Sequence, residues 1–210
     1  ILMQEPELNE EKTVRQNVEE GLGEDTGATT DLVLFLEYLP HSLAGWPDDD
    51  LPLEEDLRDI TGFLASRGVQ HFDAHFANIV TDGERLYLTD FGLAVAPEFD
   101  LSDAEAEFLA EHDGHDRAYV LTHLVNRHVR GLRAWPDART RNDFVRACAA
   151  GEVPHQAPLL QRYAPLAAVV NDFYFALHAE SRKTPYPQKA IAEQLARAGL
   201  PPDPGHPSGS

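Results

Sequence analysis

The stretch His71-Phe72-Asp73-Ala74-His75-Phe76-Ala77-Asn78, followed at a distance by Asp90-Phe91-Gly92, decides how this chain is read. Asp73 and Asn78 stand five apart on an irregular polar segment, so one can face an acceptor while the other faces a metal. Between them and Asp90, Ile79-Val80, a Thr81-Asp82-Gly83-Glu84 turn and Leu86-Tyr87-Leu88 read as a short hairpin. Such a hairpin folds Asp90 back over the loop, and Gly92 lets the backbone turn sharply after it. Phosphoryl transfer needs few covalent actors: a carboxylate that orients a hydroxyl and accepts its proton, and oxygen ligands that hold magnesium against the phosphates.

The residues around this stretch are consistent with it. Leu32 to Leu36 is an apolar run short enough for a buried strand. Glu37-Tyr38-Leu39-Pro40 leaves that strand, and Pro40 is expected to stop regular pairing. Leu53, Leu57, Ile60 and Leu64 recur at helical spacing, which predicts a helix over 53–66 stopped by Gly68. The pattern His-x-Asp-x-x-x-x-Asn followed by Asp-Phe-Gly resembles the catalytic loop and metal-binding motif of the protein-kinase-like superfamily. Leu34 to Leu39 is similar to the strand and hinge that hold adenine in that superfamily, and the resemblance covers residues 32–92. It implies that Asp73 is the base, that Asn78 and Asp90 bind magnesium, and that backbone groups of Glu37, Tyr38 and Leu39 bind the adenine of ATP. His71 is expected to pack and brace the loop.

Within the superfamily, His75 makes the loop Asp-x-His-x-x-Asn, which resembles the aminoglycoside and choline phosphotransferase branch. Phe91-Gly92-Leu93-Ala94 looks more like protein kinases, and Phe72 stands where many of those carry arginine. Ala96-Pro97-Glu98 follows Gly92 too closely to leave room for a peptide-docking activation segment. The expectation is therefore transfer of a γ-phosphate to a hydroxyl, most simply of a small molecule. A protein serine/threonine kinase and a catalytically impaired, pseudokinase-like binding module are the rivals. The last is favoured by the absence of a glycine-rich loop and a phosphate-pairing lysine before Glu37, where Lys12 is the only lysine. Ile1 in place of methionine reads as the start of a fragment. His71, Asp73 and His75 also spell a zinc-like cluster, but zinc leaves Asn78 and Asp90 without a purpose.

Downstream, Ser102 with Glu105 is a capping-box pattern. Helices are predicted over 116–129, 143–150, 165–179 and 188–198 from their apolar periodicity. The expected fold is α+β and protein-kinase-like, a mostly helical carboxy-terminal lobe with a truncated amino-terminal lobe. Residues 1–37 would be the remnant of that lobe, 38–200 the helical lobe with the catalytic loop, and 201–210, with four prolines, a disordered tail.

The composition bears on the partners of the chain. It has 36 acidic against 17 basic residues, a formal charge of −19. Such a field repels phosphate backbones and anionic lipid, which argues against nucleic-acid and membrane partners and favours a cationic acceptor. No run approaches the length of a membrane span. The lone Cys148 excludes an intramolecular disulfide and fits a cytoplasmic protein.

Overall fold

The structure is a computed structural model that describes residues 37–47 and 52–200. The chain divides into two units, Ile1–Tyr38 and Leu39–Ser210. The described part of the first is Glu37 and Tyr38 alone. The expected strand over 32–36, the helix over 9–20, the acidic run Asp48–Asp50 and the tail over 201–210 lie outside the described residues.

The second unit is α+β, a kinase-like helical lobe with a small sheet. Three short strands, β1 (His41–Ser42), β2 (Ile79–Thr81) and β3 (Leu86–Leu88), form an antiparallel sheet in the order β1-β2-β3. The β2–β3 hairpin pairs Ile79 with Leu88 and Thr81 with Leu86. Its turn is fixed by Asp82, whose Oδ1 accepts from the backbone N–H groups of Glu84 and Arg85 at 2.8 and 2.9 Å. Those donors hold the Asp82 carboxyl below the usual carboxylate range. Glu37 to Pro40 carry no strand, and pairing starts directly after Pro40, with His41 opposite Thr81. Proline lacks an N–H but does not prevent its successor from pairing.

Among the described residues there are six α-helices, one between β1 and β2, α1 (Leu53–Ser66), and five after the sheet, α2 (Asp103–Glu111), α3 (His115–Leu132), α4 (Ala138–Ala149), α5 (Pro158–Ala179) and α6 (Gln188–Arg197). α1 has the predicted limits, and α2 carries the full reciprocal capping box of Ser102 and Glu105. α4 begins five residues earlier than its apolar pattern suggests, because Asp137 caps it by accepting from the Thr140 N–H at 2.7 Å. α5 also starts earlier, at Pro158, and runs through Pro165. An interior proline costs a helix about 3 kcal/mol. Burial on two sides offsets this, since α5 packs against both α3 and α4.

The core joins the sheet to these helices. Leu43, Leu57, Ile79, Leu121, Val125, Val145, Leu166 and Ile191 have essentially no exposure. Tyr163 is equally buried, and its hydroxyl donates to Glu54 at 2.8 Å, tying α5 to α1. Among the described residues no helix is long and apolar enough to cross a membrane.

Candidate active site

The loop between α1 and β2 is built around His71. Its imidazole is fully buried. Nδ1 accepts from the Asp73 N–H at 3.3 Å, which leaves Nε2 to donate to the Thr89 carbonyl at 3.0 Å. The ring also meets the edge of Phe91, with centroids 4.7 Å apart. Both ring nitrogens are engaged within the protein, so His71 braces the loop and offers no lone pair to a metal. The His71/Asp73/His75 zinc pattern finds no support here. Among the described residues no group of three or more His, Cys, Asp or Glu side chains could hold a metal ion.

Asp73 and Asn78 are in direct contact. The Asn78 amide donates to the Asp73 carboxylate and to the Asp73 carbonyl, each at 3.0 Å. Both of its N–H donors are thereby directed at Asp73, which sets the amide orientation and turns carbonyl Oδ1 the other way. Asp90 is brought to the same place by its neighbour. The backbone N–H and the side-chain hydroxyl of Thr89 both donate to the Asn78 carbonyl, at 2.9 and 3.0 Å. Asp90 itself has φ 59° and ψ 65°, a left-handed conformation, and it opens the short 3-10 turn Phe91–Leu93. Its carboxylate is exposed and caps that turn, accepting from the Gly92 N–H at 3.4 Å. The hairpin thus returns the chain to the loop at Thr89, the residue before Asp90.

Hard oxygen donors suit magnesium, which usually takes one or two protein carboxylate ligands alongside phosphates and water. The outward Oδ1 of Asn78 and the exposed Asp90 carboxylate fit that description. Glu37, Tyr38 and Leu39 carry no strand or helix, and the Tyr38 side chain is exposed.

Two supports of the loop escaped the sequence reading. Thr89 is one. The other is Asp116 in the first turn of α3, whose carboxylate accepts from the backbone N–H groups of His71 at 2.5 Å and Phe72 at 2.9 Å. Phe72 sits at φ 62°, a strained conformation for a bulky residue. It is held there by Asp116 and by its packing on Phe108 and His115, each with centroids 5.4 Å away. Asp116 falls in helical register with Val120 and Leu124, and an acid on an apolar helix face is the signal that could have found it.

His75 lies across the loop from Asp73, with Nε2 3.6 Å from Oδ1 of Asp73. Its Nδ1 accepts from the Asn78 N–H at 3.2 Å, and its own N–H donates to the Asp73 carbonyl at 2.8 Å. Tyr119 and Tyr174 stand behind the loop. Burial, with Asp73 nearby, pushes the hydroxyl of each above the ordinary tyrosine range.

Two curated proteins resemble part of the chain. A probable bifunctional tRNA threonylcarbamoyladenosine biosynthesis protein of Methanosarcina mazei is 49% identical over 60 residues, 29% of this chain and 10% of that protein. Its namesake in Methanosarcina acetivorans is 34% identical over 88 residues, 39% of this chain and 15% of the relative. The chain therefore spans only a small part of the length of these relatives. No family model matches it. No solved structure matches it either. These relatives correct the expected branch: both bear the tRNA threonylcarbamoyladenosine name, and neither is an aminoglycoside or choline phosphotransferase. The feature that suggested that branch, His75, has a local explanation in bracing the Asp73–Asn78 turn. What the chain resembles is a segment of proteins named for tRNA threonylcarbamoyladenosine biosynthesis.

Proposed function

We propose that this chain carries the acceptor and metal half of an ATP-dependent phosphotransferase. The observation that supports it most directly is the Asp73–Asn78 pair with Thr89 clamped to the Asn78 carbonyl, which gathers Asp73, Asn78 and Asp90 at one loop. Asp73 accepts the proton of an acceptor hydroxyl while that oxygen bonds the γ-phosphorus. The bond from that phosphorus to the β-phosphate oxygen breaks, and ADP is the leaving group. Asn78 and Asp90 would hold magnesium, which would supply charge neutralisation at the phosphates. Asn78 also orients Asp73, because its amide donates to the carboxylate and to the backbone carbonyl of that residue. Glu37, Tyr38 and Leu39 are the proposed adenine contacts through their backbone. The names of the two relatives support tRNA threonylcarbamoyladenosine biosynthesis as the process this activity serves.

Thermal shift of the full-length gene product tests the reading. Mg-ATP should raise the melting temperature, and Asp90→Ala should abolish that rise. A protein that Mg-ATP does not stabilise would remove the enzyme reading and leave a binding module.

A further inference from the structure

Helix α2 makes no extended packing with another helix or strand, and Leu109 is its only fully buried residue. Gln70 ties it down: the side-chain Nε2 donates to the Leu109 carbonyl at 2.9 Å, and the backbone exchanges hydrogen bonds with Val95. The chain after the Phe91–Leu93 turn and the end of α2 are therefore fastened to one residue. Large apolar side chains on both stay in solvent: Phe91 is 49% exposed, Leu93 62% and Phe108 49%. The two rings sit on neighbouring residues, Phe91 against His71 and Phe108 against Phe72, with centroids 4.7 and 5.4 Å apart. A single exposed apolar residue means little, but a group of them rimmed by polar residues marks an interaction surface.

The rim is acidic. Asp103, Glu107 and Glu111 recur four apart on the side of α2 away from Leu109. All three are exposed, and among the described residues none of them makes an ion pair. From 86 to 116 the sequence has no lysine or arginine. The segments outside the described residues do not compensate. In 1–36, Lys12 and Arg15 are outnumbered by Asp and Glu, and 48–51 and 201–210 hold neither lysine nor arginine.

We infer that this surface docks a basic, amphipathic segment of a partner protein. Apolar side chains of that segment pack on Phe91, Leu93 and Phe108, and its lysines or arginines meet Asp103, Glu107 and Glu111. Charge selects this occupant. Nucleic acid and anionic lipid are repelled. A second copy of the chain, of formal charge −19, brings the same sign, and so does the acidic segment 1–36. On this reading the cationic counterpart of the excess acid is a protein partner. The surface adjoins the Asp73 loop but stands whether or not the chain transfers phosphate.

Side-chain resonances of Phe91, Leu93 and Phe108 in the full-length protein give the readout. The probe is a synthetic helical peptide of leucine and lysine, with its leucine–glutamate counterpart and an RNA oligonucleotide as comparisons. The lysine peptide should shift these resonances saturably, and more weakly at high salt, while the other two should not. Glu107→Lys, at an exposed helical site, should weaken binding roughly tenfold, through loss of an ion pair and gain of a repulsion. Leu93→Ser should weaken it several-fold. Glu193→Lys on α6 makes the same change in net charge and should leave binding unaltered. Equal effects of the two charge reversals would overturn the inference, because net charge alone would then explain the binding. So would shifts with the glutamate peptide or the RNA, or none with the lysine peptide. A soluble gadolinium chelate checks that the surface is free, and it should relax all three side chains in the protein alone. Shelter from the chelate in dilute protein would mean that the chain covers this surface itself, and shelter only at high concentration that a second copy does. Either result would overturn the inference.

Discussion

Asp116 holds the start of the His71–Asn78 loop from 45 residues away, its two carboxylate oxygens accepting from the N–H groups of His71 and Phe72. The carboxylate is buried, so water cannot replace it. Asp116→Ala leaves two buried donors unmet, each costing about 1–3 kcal/mol. Urea denaturation should show a loss of about 2–5 kcal/mol, and Asp116→Asn, which keeps one acceptor, a smaller one. A loss of only about 0.5 kcal/mol, typical of a surface site, would contradict this anchoring.

Asp73→Ala tests the proposed base apart from the fold. The residue is only half-buried and on a loop, so the variant should melt close to the parent. Phosphoryl transfer should fall by roughly 10²–10⁴-fold, the usual contribution of a positioned acid–base group. Stabilisation by Mg-ATP should persist. Undiminished turnover would refute the assignment.

The loop geometry was legible because it is local. Asp73, Asn78 and the hairpin to Asp90 are close in sequence, and their spacing alone brings them together. What stayed hidden was long-range. Asp116 and Thr89 act through partners in other segments, and no periodicity encodes that directly. β1 is two residues long and exists only because β2 lies beside it. Pro165 suggested a helix start, yet tertiary burial carries α5 across it. His75 misled in the opposite way: a local bracing residue resembled a branch signature.

Asn78→Asp probes the contact that orients Asp73. It replaces a donor 3.0 Å from the Asp73 carboxylate with a second carboxylate. Two like charges at that distance raise the pKa of one of them. The pair should therefore hold a proton at a higher pH than Asp73 does alone, and the rise in the pH–rate profile should move to higher pH. An unshifted profile would show that Asn78 does not govern Asp73.

Gly114 caps α3 immediately before His115-Asp116, with φ +75°. A Cβ there would lie 2.9 Å from Cδ1 of Leu195 on α6. Gly151 has nearly the same φ, +74°, but nothing within 4 Å. Both substitutions to alanine incur left-handed strain of about 1–2 kcal/mol. Gly114→Ala adds a crowded contact with a movable methyl, so it should cost more than Gly151→Ala by chemical denaturation. Equal losses would mean that Leu195 yields freely.

His123 makes stability depend on pH in a defined window. Its folded-state proton affinity is lowered from 6.5 to about 4, chiefly by burial, with Arg130 and His75 adding repulsion. Between those values the unfolded chain binds a proton that the folded chain refuses, so stability rises with pH there. The contribution is complete above pH 6.5 and is lost as pH falls toward 4. At 1.36 kcal/mol per pH unit its full size is about 3 kcal/mol. His112 shifts in the same direction, again mainly through burial, so the whole-protein curve is not His123's alone. The difference between the parent and His123→Gln isolates it, because carboxylates titrate alike in both. Urea midpoints measured from pH 7.5 to 4.5 should fall more steeply for the parent than for His123→Gln, and parallel curves would show that His123 is protonated in the folded chain.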